Sequence, residues 1–408
     1  MQTHLSDHIK HTEAGKEAAA ILRACVHCGF CTATCPTYQI LGDELDGPRG
    51  RIYLIKAVLE GEPVTEKTRT HLDRCLTCRS CETTCPSGVR YHRLLDIGRE
   101  IVAQKLPRQG GDAIKRYLLR AVLPRPQLFA TLFGLGRVAK PLLPAALASK
   151  IAEPSATSTA WPQTKRTRRM LVLGGCVQPT MEPGINAAAA RVLDRLGIEL
   201  VQAPGAGCCG AIRQHLDAPD AALDDMRRNV DAWWPYVEQG AEAVVITASG
   251  CGAQVKEYGH LLRHDAAYAD KAARISALAR DVGEIVLGEK AALVPLLKTD
   301  GAAKVAFHSP CTLQHGQGIR GAIEGLLAAA GYTLTPVADA HLCCGSAGTY
   351  SVLQPELSQR LRSDKLAALT HGTPEFIATA NIGCLSHLKA DSETQVLHWI
   401  ELLERRLA

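Results

Sequence analysis

The cysteine pattern constrains this 408-residue chain more than any other feature, because all sixteen cysteines fall into repeats. One motif has the spacing C-x2-C-x2-C-x3-C-P and occurs twice, with a displacement of 50 residues. The other is a cysteine, a vicinal pair 32 residues later followed by glycine, and a later cysteine, and it also occurs twice. The first motif comprises Cys25, Cys28, Cys31 and Cys35, then Cys75, Cys78, Cys81 and Cys85; the second comprises Cys176, Cys208, Cys209 and Cys251, then Cys311, Cys343, Cys344 and Cys384.

The two quartets predict two [4Fe–4S] clusters. This run is typical of two-cluster ferredoxins, in which the fourth cysteine of each run ligates the other cluster. Zinc is the alternative, but zinc sites use two separated pairs of ligands rather than a triplet plus Cys-Pro. We therefore assign one cluster to Cys25, Cys28, Cys31 and Cys85, and the other to Cys75, Cys78, Cys81 and Cys35.

Arginines near the quartets allow two interpretations. Arg49, Arg51 and Arg90 either raise the cluster potentials or belong to solvated surface, and we favour the solvated surface.

The hydrophobic pattern predicts a multidomain α and α/β protein. Helical periodicity covers Arg51–Leu59 and Val89–Leu106, which indicates an N-terminal helical ferredoxin domain. Later, β-branched runs alternate with alanine-rich helices, which is typical of two repeated α/β domains of the βα type. We expect a ferredoxin domain at 1–106, a basic Pro-rich helical linker at 107–169, and Cys-Cys-Gly domains at 170–300 and 301–408.

In each Cys-Cys-Gly domain, the first and last cysteines follow predicted strands. The strands are Met170–Leu173, Ala243–Thr247, Lys304–Phe307 and Phe376–Thr379. Ligands of open α/β sheets bind beyond the carboxyl ends of the strands, so we expect the cysteines of each domain at one edge.

Three roles remain open for these eight cysteines: a third cluster, a thiol or quinone-interaction site, or packing alone. His308 or His387 could supply a further ligand. The string Gly205–Gly210 matches G-x-G-x-x-G, but the second copy lacks its first two glycines, so the shared constraint is the cysteine pair.

Composition narrows the class further. Apolar residues make up 46% and charged residues 21%, as in globular proteins, whereas 4% aromatics weigh against a nucleic-acid partner. The polar stretch Met1–Lys16 does not resemble a secretion signal, and no 18-residue apolar run is present. We therefore expect a cytoplasmic protein.

The basic linker alternates apolar groups, including Leu128-Phe129, Leu132-Phe133 and Leu142-Leu143, with Arg116, Arg120 and Arg125. Basic amphipathic helices bind anionic membrane surfaces. The alternative, which we favour, is helices packed on the protein's own domains or on a partner. Peripheral contact with the inner face of the cell membrane therefore stays a secondary hypothesis.

The two motifs occur in this order, and the first quartet is followed by the segment Gly47-Pro48-Arg49-Gly50-Arg51-Ile52. In these features the chain resembles the iron–sulfur subunits of glycolate oxidase (glycolate dehydrogenase). The resemblance implies an electron-transfer subunit without catalytic residues. It also implies a partner subunit whose FAD oxidises glycolate to glyoxylate, and a quinone-type acceptor.

Alternatives are a heterodisulfide or disulfide reductase subunit, or the iron–sulfur subunit of a lactate or glycerol-3-phosphate dehydrogenase. In relatives that hold an unusual cluster in these domains, the last motif is C-x2-C. Here the second cysteine of that motif is replaced in both copies, by Gln254 after Cys251 and by His387 after Cys384.

Overall fold

The computed structural model describes residues 1–142, 157–301 and 303–408. Two compact units are present: residues 1–117 with 341–365, and residues 118–340 with 366–408. The domain boundaries at 106, 169 and 300 stay predictions. Leu143, Pro144 and Pro154 of the predicted linker lie outside the described residues.

The first unit is helical, as predicted for the N-terminal region. Its helices are Asp7–Lys10, Glu13–Ala24, Phe30–Ala33, Pro36–Leu41, Pro48–Glu60, Glu66–Asp73, Ser80–Thr84, Tyr91–Lys105 and Tyr350–Leu353, with a 3-10 turn at Glu44–Asp46. The helices Gly110–Val122 and Pro355–Thr370 each begin in this unit and end in the other.

Two long helices form the centre of the first unit. Pro48–Glu60 begins with proline at its first position and ends at Gly61, whose φ of 104° is a left-handed conformation that favours glycine. Its buried face packs in one apolar core with the helix Tyr91–Lys105. A Cβ at Gly98 would lie 2.6 Å from Ile55 Cγ1, so glycine permits the close crossing of the two helices.

The second unit contains two four-stranded sheets with all neighbours parallel. The first has the order β2-β1-β3-β4, with β1 Arg168–Val172, β2 Ile198–Gln202, β3 Val244–Ile246 and β4 Ala279–Asp281. The second has the order β6-β5-β7-β8, with β5 Lys304–His308, β6 Thr333–Leu334, β7 Phe376–Thr379 and β8 Gln395–His398. The predicted duplication and α/β class are confirmed.

Helices connect these parallel strands, as crossover connections require. The helices that lie wholly in this unit are Pro126–Ala139, Gln178–Met181, Gly184–Arg195, Ala211–His215, Pro219–Glu238, Ser249–Lys256, Tyr258–Leu261, Ala269–Leu278, Val282–Gly288, Lys290–Leu293, Ala322–Ala329, Ile382–Lys389 and Trp399–Glu404, with short turns of other helix types at Lys140–Leu142, Val294–Leu296 and Thr312–Gly316.

Buried polar contacts join the two sheet domains inside this unit. The neutral His398 ring donates from Nε2 to the Thr247 carbonyl at 2.9 Å, and burial lowers the pKa of His398 to about 4. Nearby, the Gly250 N–H donates to Asn381 Oδ1 at 3.2 Å. These bonds fix the segment that carries Cys251.

The basic segment is partly packed on the protein itself. Arg116 is buried and pairs with Asp73 and Asp112, and Arg120 donates to the Leu216 and Asp217 carbonyls. By contrast, the helix Pro126–Ala139 buries none of its residues. Among the described residues, no helix combines the length and apolar character that a membrane span requires.

Candidate iron–sulfur and thiol sites

The first unit gathers the eight ferredoxin-type cysteines around two cavities. One cavity is lined by Cys35, Cys75, Cys78 and Cys81. The other is lined by Cys25, Cys28, Cys31 and Cys85, together with Cys81. In each cavity, three cysteines of one quartet lie with the last cysteine of the other.

The two quartet loops turn in the same way. His27 and Gly29 in the first loop, and Thr77 and Arg79 at the equivalent positions of the second, all have positive φ. These left-handed residues alternate with the cysteines and turn the loop around its cavity. After Cys35, Pro36 begins the helix Pro36–Leu41, because proline is pre-organised for a first helical position.

Burial and neighbouring thiols oppose the ionisation of Cys31 and Cys81. Burial, followed by the neighbouring Cys25, raises the pKa of Cys31 to about 11. Burial, followed by Cys78, raises the pKa of Cys81 well above its usual value. Bound iron offsets both effects, because metal ligation stabilises the thiolate form. The donor set therefore fits an iron–sulfur cluster in each cavity.

A buried cation lines the cavity of Cys35, Cys75, Cys78 and Cys81. Arg51 is 1% exposed, so the interpretation of this residue as solvated surface is wrong. It donates from Nε to the His71 carbonyl at 2.7 Å and from both Nη atoms to Thr37 Oγ1, and Nη2 lies 3.3 Å from Asp46 Oδ1. Thr37 Oγ1 in turn lies 3.3 Å from Cys35 Sγ.

Arg51 stays charged in this position. Burial by itself lowers the pKa of Arg51, but Cys75 and the other nearby anionic groups raise it overall. Arg49 is half-buried and pairs with Glu44, and Arg90 is exposed, so the solvated-surface interpretation holds best for Arg90.

Two tyrosines lie beside the same cavity. The Tyr91 hydroxyl donates to Cys75 Sγ at 3.7 Å, and burial, followed by Cys75, raises its pKa well above the usual value. The Tyr350 hydroxyl donates to the Arg74 carbonyl at 3.2 Å. Burial, followed by Cys75, also raises the pKa of Tyr350.

In the second unit, the cysteines of the first Cys-Cys-Gly copy form a continuous chain of thiols. Cys176 follows β1, and Cys251 is in the first turn of the helix Ser249–Lys256, which follows β3. Hydrogen bonds connect Cys176 with Cys208, Cys208 with Cys209, and Cys209 with Cys251. The bonds from Cys176 and Cys209 lower the pKa of Cys208, so the array favours a thiolate at its centre.

The backbone of this vicinal pair is held from two sides. Asn229 accepts from the Gly207 N–H and donates to the Cys208 carbonyl, each at 2.8 Å. The Tyr258 hydroxyl donates to the Cys209 carbonyl at 2.9 Å. Gly210, with a φ of 90°, turns the chain after the pair, which explains why glycine follows the cysteines.

The second copy is divided between the units. Cys343 and Cys344 are buried in the first unit, where Gly345 repeats the left-handed turn with a φ of 88°. Ser358 Oγ fixes that turn by donating to the Gly345 carbonyl at 2.8 Å.

Cys311 and Cys384 belong to the second unit, with Cys384 again in the first turn of its helix. His308, also in that unit, is buried and its Nδ1 lies 3.0 Å from Thr379 Oγ1, whereas His387 is half-buried.

Sequence reasoning missed the polar residues around these sites. Arg51 lies on the i, i+4, i+8 face with Ile55 and Leu59, and this spacing was the available signal for its burial. Tyr350 and Asn229 belong to no motif, and the sequence carries no signal for them.

Comparison with known proteins agrees with this architecture. A 4Fe-4S dicluster domain model matches residues 21–89, and a cysteine-rich domain model matches residues 170–256 and 305–389. The fold and these sites define an iron–sulfur electron-transfer protein, in which a dicluster ferredoxin domain precedes two cysteine-rich domains.

Full-length relatives identify the family. The chain is 56% identical to the glycolate oxidase iron-sulfur subunit of Escherichia coli over 407 residues, covering all of this chain and 99% of the relative. It is 30% identical to a probable glycolate oxidase iron-sulfur subunit of Bacillus subtilis, over 91% of this chain and 89% of that protein. Lactate utilization protein A of Bacillus licheniformis is 26% identical over 57% of this chain. The chain therefore belongs to the glycolate oxidase iron-sulfur subunit family, as its motifs predicted.

The Arg51 network predicts an effect on redox potential. A buried cation stabilises the more negative reduced state, so Arg51→Met should lower the potential of the cluster in the adjoining cavity by about 60 mV, the one-electron equivalent of a tenfold change. Arg51→Lys should retain most of the potential, and the exposed Arg90→Gln should leave it unchanged. Redox titration followed by electron paramagnetic resonance measures the effect, and an unchanged potential in an iron-replete Arg51→Met protein would contradict it.

Proposed function

We propose that this chain is the electron-transfer subunit of a glycolate-oxidising flavoenzyme complex. In this proposal a partner subunit carries FAD and oxidises glycolate to glyoxylate, and the electrons continue through this chain towards a quinone-type acceptor. The observation that carries the proposal is the pair of cysteine-lined cavities within one unit. Membership of the family supports the choice of glycolate.

The residues of this chain hold and insulate the redox groups. A [4Fe–4S] cluster, when bound, accepts and releases single electrons. We assign Cys25, Cys28, Cys31 and Cys85 to one cluster and Cys75, Cys78, Cys81 and Cys35 to the other. The buried Cys25, Cys35 and Cys81 lie on the side of the cavities away from water, and Arg51 supplies a fixed positive charge beside the second cavity.

Glycolate should reduce this chain only through a flavoprotein. In the complex purified without oxygen, glycolate should bleach the cluster absorbance, whereas lactate and glycerol 3-phosphate should act far more slowly. The isolated chain should be reduced by dithionite but not by glycolate. Reduction of the flavin-free chain by glycolate would contradict an electron-transfer role, and a preference for lactate or glycerol 3-phosphate would replace the proposed substrate.

Paired substitutions test the crossed ligand assignment. Cys28→Ala with Cys85→Ala removes two ligands of one proposed cluster, so the chain should lose only the roughly four irons of that cluster. Cys28→Ala with Cys35→Ala removes one ligand from each cluster and should cost iron at both. The reverse order would show that each quartet binds its own cluster, and equal iron in the two double variants would contradict the crossed assignment.

We further propose that Cys176, Cys208, Cys209 and Cys251 hold a third cluster. Their continuous thiol array and the lowered pKa of Cys208 support metal ligation over packing alone. The purified chain should then contain roughly twelve irons with matching sulfide, and Cys209→Ala should reduce this to roughly eight. Roughly eight irons in both proteins would favour a thiol or quinone-interaction site instead.

We also propose that the helix Pro126–Ala139 makes peripheral contact with an anionic membrane. Leu128, Leu132, Leu135 and Val138 are exposed at helical spacing, and Arg125 and Arg137 supply positive charge. Arg116 and Arg120 are already engaged within the protein and are not part of this surface. The chain should co-sediment with phosphatidylglycerol vesicles but not with phosphatidylcholine vesicles, and Leu132→Asp with Leu135→Asp should abolish this. Equal sedimentation of the variant would refute the contact.

A further inference from the structure

The two quartet loops have the same motif but differ sharply in exposure. Val26 in the first loop is 65% exposed, and its equivalent in the second loop, Leu76, is 4% exposed. Phe30 is 59% exposed, and its equivalent, Ser80, is 1% exposed. The first loop therefore presents apolar side chains to solvent at the positions that the second loop buries.

A cysteine lies at the centre of this exposed region. Cys28 is the exposed member of the eight ferredoxin-type cysteines, whereas its equivalent Cys78 is partly buried. Tyr53 is also exposed, and its ring packs on His27 with the ring centroids 4.5 Å apart. We call the surface formed by Val26, His27, Cys28, Phe30 and Tyr53 the Cys28 face.

The second loop is accompanied by a segment of the same unit. The Tyr350 hydroxyl bonds to the carbonyl of Arg74, directly before Cys75, and Cys75 contributes to the raised pKa of Tyr350. Residues 341–365 thus supply protein contacts beside the second loop. The first loop repeats the motif, but its apolar residues are exposed in the part of the chain that the structure describes, so we expect their cover also to be protein.

We propose that the Cys28 face is the docking surface of the flavoprotein that donates electrons, and that the cluster assigned to Cys25, Cys28, Cys31 and Cys85 receives them first. This inference rests on the function proposed above and specifies where that partner binds. The occupant is a protein that presents an apolar surface beside its reduced flavin. Each reduced flavin delivers two electrons, one at a time, and its protons leave on the partner's side.

Two properties of the face suit this partner. An exposed ligand gives an external donor the shortest approach to a cluster, and the other quartet offers no equally exposed cysteine. Exposed aromatic and apolar side chains mark protein interfaces, where aromatic residues contribute much of the binding energy. Phe30 and Tyr53 are such residues on either side of the exposed thiol.

The test uses the full chain, tagged and expressed in its own host in place of the original copy, and purified without oxygen. Val26→Asp with Phe30→Glu should retain the iron, the sulfide and reduction by dithionite. The flavin that co-purifies with each chain should fall at least about tenfold, as expected for the loss of central interface residues. Glycolate-driven cluster reduction should fall equally. Leu287→Glu, at an exposed leucine of the second unit, should leave all five measurements unchanged.

Flavin content at the unsubstituted level in the double variant would overturn the proposal, whatever its rate of cluster reduction. If the charged substitutions cost iron, Phe30→Ala with Tyr53→Ala removes the two aromatic rings without adding charge, and the same measurements are made on this variant. An unchanged flavin content in it would also overturn the proposal. Failure of the proposed function has a different signature: the unsubstituted chain itself co-purifies without flavin, or glycolate does not reduce its clusters although flavin is present.

Discussion

The crowding of thiols in small, partly buried cavities is the constraint on which the first unit depends. Buried thiolates lose hydration and, where they lie close together, also repel one another, and both effects raise the pKa of Cys31 and Cys81. A positive metal centre removes both penalties at once. Cluster binding is therefore coupled to the folding of this unit, because the geometry that gathers the cysteines is unfavourable for ionised thiols alone.

The duplicated motifs have diverged in their surroundings while keeping their backbone turns. Positive φ recurs at His27 and Thr77 in the quartet loops, and at Gly210 and Gly345 after the vicinal pairs. The side chains around these turns differ, since Arg51 and Tyr350 lie beside one cavity and exposed apolar residues lie around the other. One motif thus provides two different electrostatic environments.

Sequence reasoning recovered what periodicity and spacing encode. The β1 and β7 strands, the helix that ends before Gly61 and the duplication were all predictable, because hydrophobic alternation and repeated cysteines are local signals. Arg51 was wrongly predicted to lie on the solvated surface. Its burial depends on partners such as Asp46, and the sequence does not show that this acid pairs with Arg51 inside the protein. The joining of residues 341–365 to the ferredoxin unit was not foreseen either, since it depends on contacts made across more than two hundred residues of intervening chain.

That last feature also affects the order in which the protein matures. The helical unit is discontinuous in sequence, because residues 118–340 are synthesised between its two segments. A nascent chain that has just released its N-terminal helices still lacks Tyr350 and the second vicinal pair, and long-range contacts of this kind form late. The unit is complete only when synthesis has passed residue 365, so the contact of Tyr350 with the Arg74 carbonyl forms well after both quartets have been synthesised.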